Sequence, residues 1–378
     1  MVDKLKAPKI FIFGYYGWKN VGDDAMLYAL LQELHTLAPD AEFSVLSAVP
    51  VEIPPQAEGK TRFVKHSPIL ICLEILKSSA FVIGGGTHLF DYGNKIRTLK
   101  IQLRILILVL FSKVLRKKVY LLNNGIGPVS TTWGRLLVRL ICRLADHISV
   151  RDRASYRLLT SWGFTDKVSL AFDLSALIEP LDKTTNNLQE DDKAILGISV
   201  TPIFEIYYNS PERDYLLVSE IAKAINEQIK RNPQWRVYLF VFKGETKDHD
   251  GGITRLLHQQ LQPPECVKLI PYNPDPRKML AFVGQCSVFI GMRYHSCLFA
   301  YLNKLPMLVI DYHPKCRALA EEIGLPKQAI ISLYEILNGQ FGERLENLLK
   351  SPRNFCASLP VELARKRARE GIKGVKIP

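Results

Sequence analysis

The stretch KIFIFGYYGWKNVGDDAML, residues 9–27, joins an apolar strand to a helix through a loop that contains several glycines. Such glycines allow a tight turn, and the helix that follows presents backbone N–H groups to an anion. The spacing matches neither GxGxxG nor a Walker loop, so it does not indicate a dinucleotide or an ATPase. The alternative is a plain strand-to-helix turn in which Asp23 or Asp24 caps the helix.

Apolar runs alternate with helix-period segments along the rest of the chain, which is typical of parallel α/β units. Several runs are apolar throughout, as expected of strands with both faces covered. In the first half we predict strands at 9–13, 42–46, 81–84, 118–122 and 147–150, and helices near 23–38, 67–78, 95–116, 132–145 and 153–161. In the second half we predict strands at 194–200, 235–242, 267–270, 287–291 and 307–311, and helices near 213–230, 250–261 and from about 295.

The chain has 378 residues, which favours two domains over one core. The segment EPLDKTTNNLQEDDK, residues 179–193, is polar and suits an interdomain linker. The sequence therefore predicts two doubly wound, Rossmann-like α/β domains facing a cleft, at 1–180 and 193–332. A C-terminal helix and a basic tail follow at 333–378. In open parallel sheets, ligands bind beyond the carboxyl ends of the strands.

The composition indicates a globular protein with an anionic partner. Hydrophobic residues make up 47% and charged residues 23% of the chain, and 50 basic against 37 acidic residues give a net charge of +13. This charge suits nucleic acid, phosphorylated substrates or a membrane surface. The seven cysteines are scattered without a CxxC pair and the N-terminus lacks a secretory pattern, so we expect reduced thiols in the cytoplasm.

Residues 94–118 contain eight Lys or Arg and no acid around the apolar run 105–111. That run is far shorter than the about 20 residues that span a bilayer. Two interpretations stay open: a helix lying on an anionic membrane, or a core helix whose basic side chains extend to water at its ends. Arg135, Arg139 and Arg143 share one face of the next predicted helix, which is typical of a solvated face, with partner binding as the alternative.

Two further glycine-bearing segments follow predicted strands, IGGGTHLFDYGN at 83–94 and NNGIGP at 123–128. Three consecutive glycines cost roughly 0.5 to 1 kcal/mol each in regular structure. We therefore expect a loop at 84–86 with unusual dihedral angles or with a ligand against its backbone. Because three such segments follow strands of one sheet, we expect them to form one wall of a cleft.

Charged side chains follow the strands of the second half. Arg293 and His295 lie in GMRYHS, directly after a buried strand, and Lys315 lies in DYHPK, after the next one. If these strands adjoin, the three side chains converge on one anion. Arginine cannot lose its charge and needs a counter-ion where water is scarce, so we predict a site for a small, multiply charged anion. We expect no metal, because these cations would repel it and no ligand spacing is present.

In the first half, Arg151 follows a predicted strand within SVRDRAS, residues 149–155. The sequence leaves open whether Asp152 caps the next helix or pairs with Arg151.

The segments GYYGWKNVGDDA, IGGGTHLFD, NGIGP, SVRDRAS, GMRYHS and DYHPK, in this order, resemble the polysaccharide pyruvyl transferases over about residues 9–325. The resemblance implies a fold similar to the two-domain glycosyltransferases of the GT-B type. It also implies that phosphoenolpyruvate donates a carboxyethylidene (ketal pyruvate) group to two hydroxyls of a sugar, in a cell-surface polysaccharide or its lipid-linked precursor. No cofactor is expected beyond this donor substrate.

The resemblance also assigns roles to residues. The family's Arg-x-His element corresponds to Arg293 and His295, and its middle residue is usually Leu, whereas this chain has Tyr294. The arginine of VRD corresponds to Arg151, and the basic residue after the next strand to Lys315. We expect Arg293, Arg151 and Lys315 to bind phosphoenolpyruvate, and His295 and Arg151 to be catalytic. An imidazole titrates near neutral pH, which suits His295 to proton transfer.

The acceptor sugar is expected at the glycine loops of the first half, with Asn20, Asp23, Gly85 and Gly86 as contacts. A nucleotide-sugar glycosyltransferase of the GT-B type is the alternative function. A non-catalytic protein that binds a membrane surface or nucleic acid is a third one, but the sequence contains no recognisable nucleic-acid module. We expect a cytoplasmic protein, with peripheral contact at the inner face of the cell membrane as an open possibility.

Overall fold

The structure is a computed structural model that describes residues 7–91, 95–181, 194–246 and 249–377. It divides into two compact units. The first unit contains Met1–Trp18, Asp23–Ile178 and Glu362–Pro378. The second unit contains Lys19–Gly22 and Glu179–Val361.

The first unit is built on a parallel sheet of eight strands. They are β1 (Lys9–Tyr16), β2 (Glu42–Ser47), β3 (Thr61–Val64), β4 (Ala80–Ile83), β5 (Gly86–Leu89), β6 (Lys118–Ile126), β7 (His147–Val150) and β8 (Val168–Leu170). Their order is β3-β2-β1-β4-β6-β7-β8, and β5 pairs with β6. The direction of winding reverses between β1 and β4, which is where a doubly wound sheet opens a ligand crevice.

The helices of the first unit are α1 (Val21–Leu37), whose first two residues belong to the second unit, α2 (Pro68–Lys77), α3 (Lys95–Val114), α4 (Thr132–Leu144) and α5 (Arg153–Ser161). Helices α2, α3 and α4 pack on the sheet through buried aliphatic side chains such as Ile75, Val109 and Val138. These three helices thereby form one layer over the core of the unit.

The second unit has a parallel six-stranded sheet. Its strands are β9 (Ile195–Ser199), β10 (Arg236–Phe240), β11 (Val267–Ile270), β12 (Val288–Gly291), β13 (Met307–Asp311) and β14 (Ile330–Ser332), in the order β11-β10-β9-β12-β13-β14. Its helices are α6 (Ile203–Tyr208), α7 (Pro211–Arg231), α8 (Gly251–Gln260), α9 (Pro276–Val283), α10 (Tyr294–Leu302), α11 (Pro314–Glu322), α12 (Leu333–Leu337) and α13 (Phe341–Lys350). Helix α14 (Val361–Glu370) begins at the boundary of the two units. Winding reverses between β9 and β12, so the carboxyl ends of these strands mark the expected ligand edge.

The predicted fold class is confirmed: both units are doubly wound α/β structures with parallel sheets. All ten predicted strands are present, and β12 and β13 adjoin as expected. The prediction of a loop at 84–86 is partly wrong, because Gly86 is the first residue of β5.

The boundaries of the two units differ from the expected ones in two places. The segment 333–378 is not a separate part, since α12 and α13 belong to the second unit and 362–378 to the first. Residues 19–22, which the sequence assigns to the first domain, belong to the second unit. Most of the predicted linker, from 182 to 193, lies outside the described residues. Over the described ranges, none of the helices has the length and apolar character needed to cross a membrane.

Candidate functional site

Arg293 lies two residues beyond β12, where it is the N-cap of α10. Its Nε donates to both carboxylate oxygens of Asp250, at 2.9 and 3.1 Å, and its Nη2 donates to Oδ1 at 2.6 Å. Asp250 is fully buried and precedes α8, and its Oδ2 also accepts the backbone N–H of Lys243 at 2.9 Å. Two N–H groups on one carboxylate fix the plane of the guanidinium.

The pair of Arg293 and Asp250 corrects one expectation. A counter-ion from outside is not required, since a buried carboxylate of the same unit supplies it. A paired guanidinium adds little net positive charge, so its contribution to an anion site is directional N–H donation. Asp250 is not among the predicted site residues, because an aspartate directly before a helix resembles an ordinary capping residue.

His295 lies in the first turn of α10 and is half-buried. Its ring meets that of Tyr294 edge-on, with centroids 4.9 Å apart. On another side it faces Gly22, where a β-carbon would lie only 1.8 Å from Nδ1. No side chain fits there without displacing the imidazole. The segment 19–22, which belongs to the same unit, therefore approaches the predicted catalytic histidine through residue 22.

The segment 19–22 is fixed to the carboxyl end of β10. Asn20 and Lys243 form an antiparallel bridge, and the N–H of Val21 donates to the carbonyl of Phe242 at 3.1 Å. Lys243 is buried and follows β10 in the way that Arg293 follows β12. Lys243 is not among the predicted site residues, although its position after a predicted strand was a usable signal.

The cap of α1 also differs from the expected one. The side-chain oxygen of Asn20 accepts the N–H of Gly22 at 3.3 Å, as an N-cap does, whereas Asp24 accepts the N–H of Gly17 at 2.9 Å. Asp23 lies in the first turn of α1. Asn20 and Asp23, both predicted acceptor contacts, belong to different units.

Tyr312 and His313 connect β13 to α11, and Lys315 lies in the first turn of α11. The N–H of Lys315 donates to Nδ1 of His313 at 3.2 Å, which caps α11. Burial raises the pKa of the Tyr312 phenol well above its ordinary value, and the positive charge of Arg293 opposes this rise while Asp250 adds to it. Tyr312 follows β13 and Arg293 follows β12, and these two strands pair with each other. Lys315 follows the strand next to β12 as expected, but it lies in the first turn of α11, and its contact with an anion stays a prediction.

In the first unit, Arg151 is almost completely buried after β7. Its Nη1 donates to Asp173 at 2.8 Å and its Nη2 donates to Thr87 Oγ1 at 2.9 Å. Asp152 caps α5 by accepting the N–H of Ser155 at 2.7 Å, and its carboxylate is 3.8 Å from Nε of Arg151. Both alternatives for Asp152 are thus met, but the capping bond is the shorter one. Arg151 and Arg293 belong to different units.

Two buried side chains near Arg151, Asp173 and His88, are not among the predicted site residues. Asp173 lies just past β8 and is fully buried. His88, in β5, is also buried, and this burial lowers its pKa from 6.5 to about 4, with the charge of Arg151 acting in the same direction. The imidazole of His88 is therefore neutral at physiological pH. Its position within GGGTH, beside the glycines, was the available signal.

Gly85 and Gly86 are buried within the first unit. A β-carbon on Gly85 would lie 2.8 Å from the sulfur of Met26, and Gly86 has φ of +121°. Internal packing and an unusual dihedral angle account for both glycines. Their role as acceptor contacts stays a prediction.

Within the described part of the chain, no three His, Cys, Asp or Glu side chains form a group that could hold a metal ion.

Comparison with known proteins gives a family and a fold. The family model described as polysaccharide pyruvyl transferase matches residues 20–314. The amylovoran biosynthesis protein AmsJ of Erwinia amylovora is 22% identical over 274 residues, which are 69% of this chain and 64% of that protein. The match thus spans slightly less than two thirds of the relative's length.

Three solved structures illustrate the fold. S. aureus MnaA, in a UDP co-structure, aligns with a TM-score of 0.60 at 12% identity, over 98% of this chain and 94% of that one. UDP-GlcNAc 2-epimerase from Neisseria meningitidis, bound to UDP-GlcNAc, aligns with a TM-score of 0.60 at 13% identity, over 96% of this chain and 98% of that one. Anabaena Alr3699/HepE, in complex with UDP and glucose, aligns with a TM-score of 0.56 at 12% identity, over 98% of this chain and 100% of that one. At these identities the likeness concerns the fold alone.

Proposed function

Because the chain belongs to the polysaccharide pyruvyl transferase family, we propose that it transfers a carboxyethylidene group from phosphoenolpyruvate to two hydroxyls of a polysaccharide sugar. The acceptor is a cell-surface polysaccharide or its lipid-linked precursor. The observation that carries the proposal is the fixed guanidinium of Arg293 beside β12, with His295 two residues further along.

Phosphoenolpyruvate presents a carboxylate and a phosphate close together, so its site needs oriented N–H donors and positive charge. Arg293 is oriented by Asp250. Lys315, in the first turn of α11, supplies an ammonium, which suits a phosphate as a point charge. Arg151, in the first unit, is held by Asp173 and Thr87, and its predicted roles in phosphoenolpyruvate binding and catalysis remain part of the proposal.

The proposed reaction begins with a proton that adds to the methylene carbon of phosphoenolpyruvate, which becomes a methyl group. The adjacent carbon becomes electron-poor, and the oxygen of one sugar hydroxyl bonds to it. The bond from this carbon to the phosphate oxygen breaks, and the second hydroxyl oxygen takes that place to close the ketal. The two hydroxyls lose two protons: one balances the proton taken up by carbon and the other leaves with inorganic phosphate.

His295 is the proposed proton-transfer group. It stands in the first turn of α10, two residues after Arg293, and Gly22 lets the 19–22 segment approach its ring. General acid–base catalysis by a positioned side chain contributes typically about 10²–10⁴-fold. His295→Ala should therefore lower kcat far more than it weakens phosphoenolpyruvate binding, and a variant with native turnover would remove His295 from the mechanism.

A donor and acceptor screen read by mass spectrometry tests the proposed function. With phosphoenolpyruvate and candidate glycolipids or glycans, we expect a product heavier by one carboxyethylidene group and release of phosphate. Consumption of a nucleotide sugar, with a product heavier by one sugar, would instead identify a glycosyltransferase. Asn20, Asp23, Gly85 and Gly86 remain the proposed acceptor contacts.

We also propose that the layer formed by α2, α3 and α4 binds an anionic membrane. Thirteen of the 25 exposed large apolar side chains found among the described residues lie on these helices. Helix α3 is apolar on both sides: Ile105 and Val109 face the core, while Ile107 is 55% and Val114 80% exposed. A core helix with basic ends would not have this exposed apolar face. An apolar groove of about 370 Å³ between α2 and α3, which includes Leu73 and Phe111, continues the surface.

The charges of this layer favour lipid over a protein of mixed charge. Exposed basic side chains border the apolar face: Lys77, Arg97, Lys100, Arg104, Arg135, Arg139 and Arg143. The three helices contain a single carboxylate, Glu74, which is buried and paired with Arg62. Apolar insertion combined with basic residues is how interfacial helices bind anionic bilayers. Such contact would bring the enzyme to a lipid-linked acceptor.

Vesicle co-sedimentation tests the membrane surface. We expect binding to phosphatidylcholine vesicles that contain phosphatidylglycerol and little binding without it. The double variant Leu103→Glu and Ile107→Glu on α3 should lose binding, whereas Leu216→Glu, at an exposed position on α7, should retain it. No binding of the wild type, or self-association through α3 in sedimentation velocity, would reject the lipid assignment.

A further inference from the structure

The second unit contains an aromatic pocket of about 480 Å³ that is not part of the assigned site. We use this name for the cavity lined by Phe204, Tyr207, Tyr208, Tyr312, His313 and Tyr334, among others. Its lining comes from α6 with the start of α7, from the connection between β13 and α11, and from α12. These segments follow β9, β13 and β14, so the pocket opens at the ligand-binding edge of the sheet.

The wall that contains α6 is held in place. The carboxylate of Asp214 accepts the N–H groups of Phe204 and Glu205 at 3.1 and 2.7 Å, which fixes the start of this short helix. The guanidinium of Arg213 lies 4.1 Å from the centroid of the Phe204 ring. On the far side, the rings of Tyr207 and His313 stand 6.4 Å apart. The pocket is thus formed in the protein alone, and its volume falls within the roughly 300–1,000 Å³ of small-molecule sites.

Tyr207 is 50% and Tyr334 75% exposed. An exposed phenol offers an apolar ring face and a hydroxyl at its edge, which suits a ligand with both characters. A lipid chain would leave these hydroxyls and the imidazole of His313 without water. A polyphosphate would require several cations, whereas Arg213 is the single cationic residue among the residues that line the pocket in the described chain. A sugar ring has an apolar C–H face and a rim of hydroxyls, and it matches this lining.

The pocket also borders the proposed donor site. Tyr312 lines it and directly follows β13, which pairs with β12, the strand that precedes Arg293. A saccharide whose one ring occupied the pocket would therefore hold a neighbouring part of the glycan near the Arg293 end of β12.

We propose that the aromatic pocket binds a neutral pyranose ring of the acceptor glycan, stacked against Tyr207 and Tyr334. This inference rests on the proposed function, because it takes the acceptor to be a saccharide. It adds to the expected acceptor contacts a subsite in the second unit.

Kinetics with phosphoenolpyruvate and a glycan acceptor test the subsite. Tyr207→Ala and Tyr334→Ala, on separate walls, should each raise the acceptor KM about 10-fold or more, which is about 1.4 kcal/mol, and leave the phosphoenolpyruvate KM unchanged. Tyr207→Phe keeps the ring and should have a smaller effect. Tyr215→Ala, an exposed tyrosine outside the pocket on α7, is the control and should behave as wild type. An unchanged acceptor KM in both alanine variants would overturn the proposal.

A binding measurement separates this inference from the proposed function. Saturation-transfer NMR with methyl glycosides of common hexoses, without phosphoenolpyruvate, should give signals for wild type and Tyr215→Ala but not for Tyr207→Ala. Sugar binding in a protein that never turns over phosphoenolpyruvate would support the pocket and reject the proposed function. Turnover with no glycoside signal at the pocket, or displacement of the glycoside by UDP alone, would reject the pocket as a saccharide subsite.

Discussion

The α-carbon of Gly22 faces the imidazole of His295 so closely that a β-carbon built there would lie 1.8 Å from Nδ1. Residues 22 and 295, which are 273 positions apart in the sequence, therefore meet within the second unit. The approach explains why residue 22 is glycine although its φ lies outside the left-handed region. It also makes the placement of His295 sensitive to a methyl group.

Gly22→Ala should displace the imidazole and lower kcat at least about 10-fold, because a misplaced proton-transfer group loses much of its catalytic contribution. Binding of phosphoenolpyruvate, followed by calorimetry, should change little. Gly342→Ala on α13 is the matched control, since its β-carbon would meet Ala224 at an ordinary 3.8 Å. Native kcat in Gly22→Ala would show that the position of His295 is unimportant.

Asp250→Asn should lower both activity and stability. The substitution leaves the charge of Arg293 without its buried carboxylate, a loss that typically costs about 3–5 kcal/mol in the free energy of unfolding. The control is Glu42→Gln, which breaks the more exposed ion pair of Lys9 and Glu42 and should cost about 1 kcal/mol or less. Urea denaturation of both variants gives the comparison. Equal, small losses would mean that Asp250 does not fix Arg293.

The neutral His88 predicts a pH-dependent stability. Burial lowers its folded pKa from 6.5 to about 4, so the unfolded chain binds the proton first as the pH falls. The contribution of neutral His88 to the free energy of unfolding is fully present above about pH 6.5. It is lost progressively as the pH falls from about 6.5 to about 4, by about 3 kcal/mol in total.

His88→Gln should reduce the drop in the urea midpoint between about pH 7.5 and about pH 5. His258→Gln, at a partly exposed position on α8, should leave this drop as in the wild type. An identical drop in His88→Gln and wild type would mean that other groups cause it.

The sequence predicts the strands best where they are long and fully apolar, because both faces of such strands are buried. It misses β3, β8 and β14, which lie at sheet edges, are mostly only partly buried and contain no more than two apolar residues each. It misses β5 because glycines usually weaken a strand, whereas Gly86 here starts one with φ of +121°.

The sequence places Arg293, His295 and Lys315 correctly after adjoining strands, since the end of an apolar run fixes where a loop begins. It does not identify Asp250, 43 positions before Arg293, or Asp173, 22 positions after Arg151. Such pairs depend on strand order, which no local pattern contains. Segment 19–22 is assigned to the wrong unit for the same reason.

The most direct measurement is the reaction of phosphoenolpyruvate with a glycan acceptor in D₂O, with the product analysed by NMR and mass spectrometry. The account predicts one phosphate released for each ketal formed and one deuterium in its methyl group, with both signals strongly reduced in His295→Ala. A phosphorylated sugar, or a ketal whose methyl group contains no deuterium, would contradict protonation of the methylene carbon and transfer of the three-carbon unit.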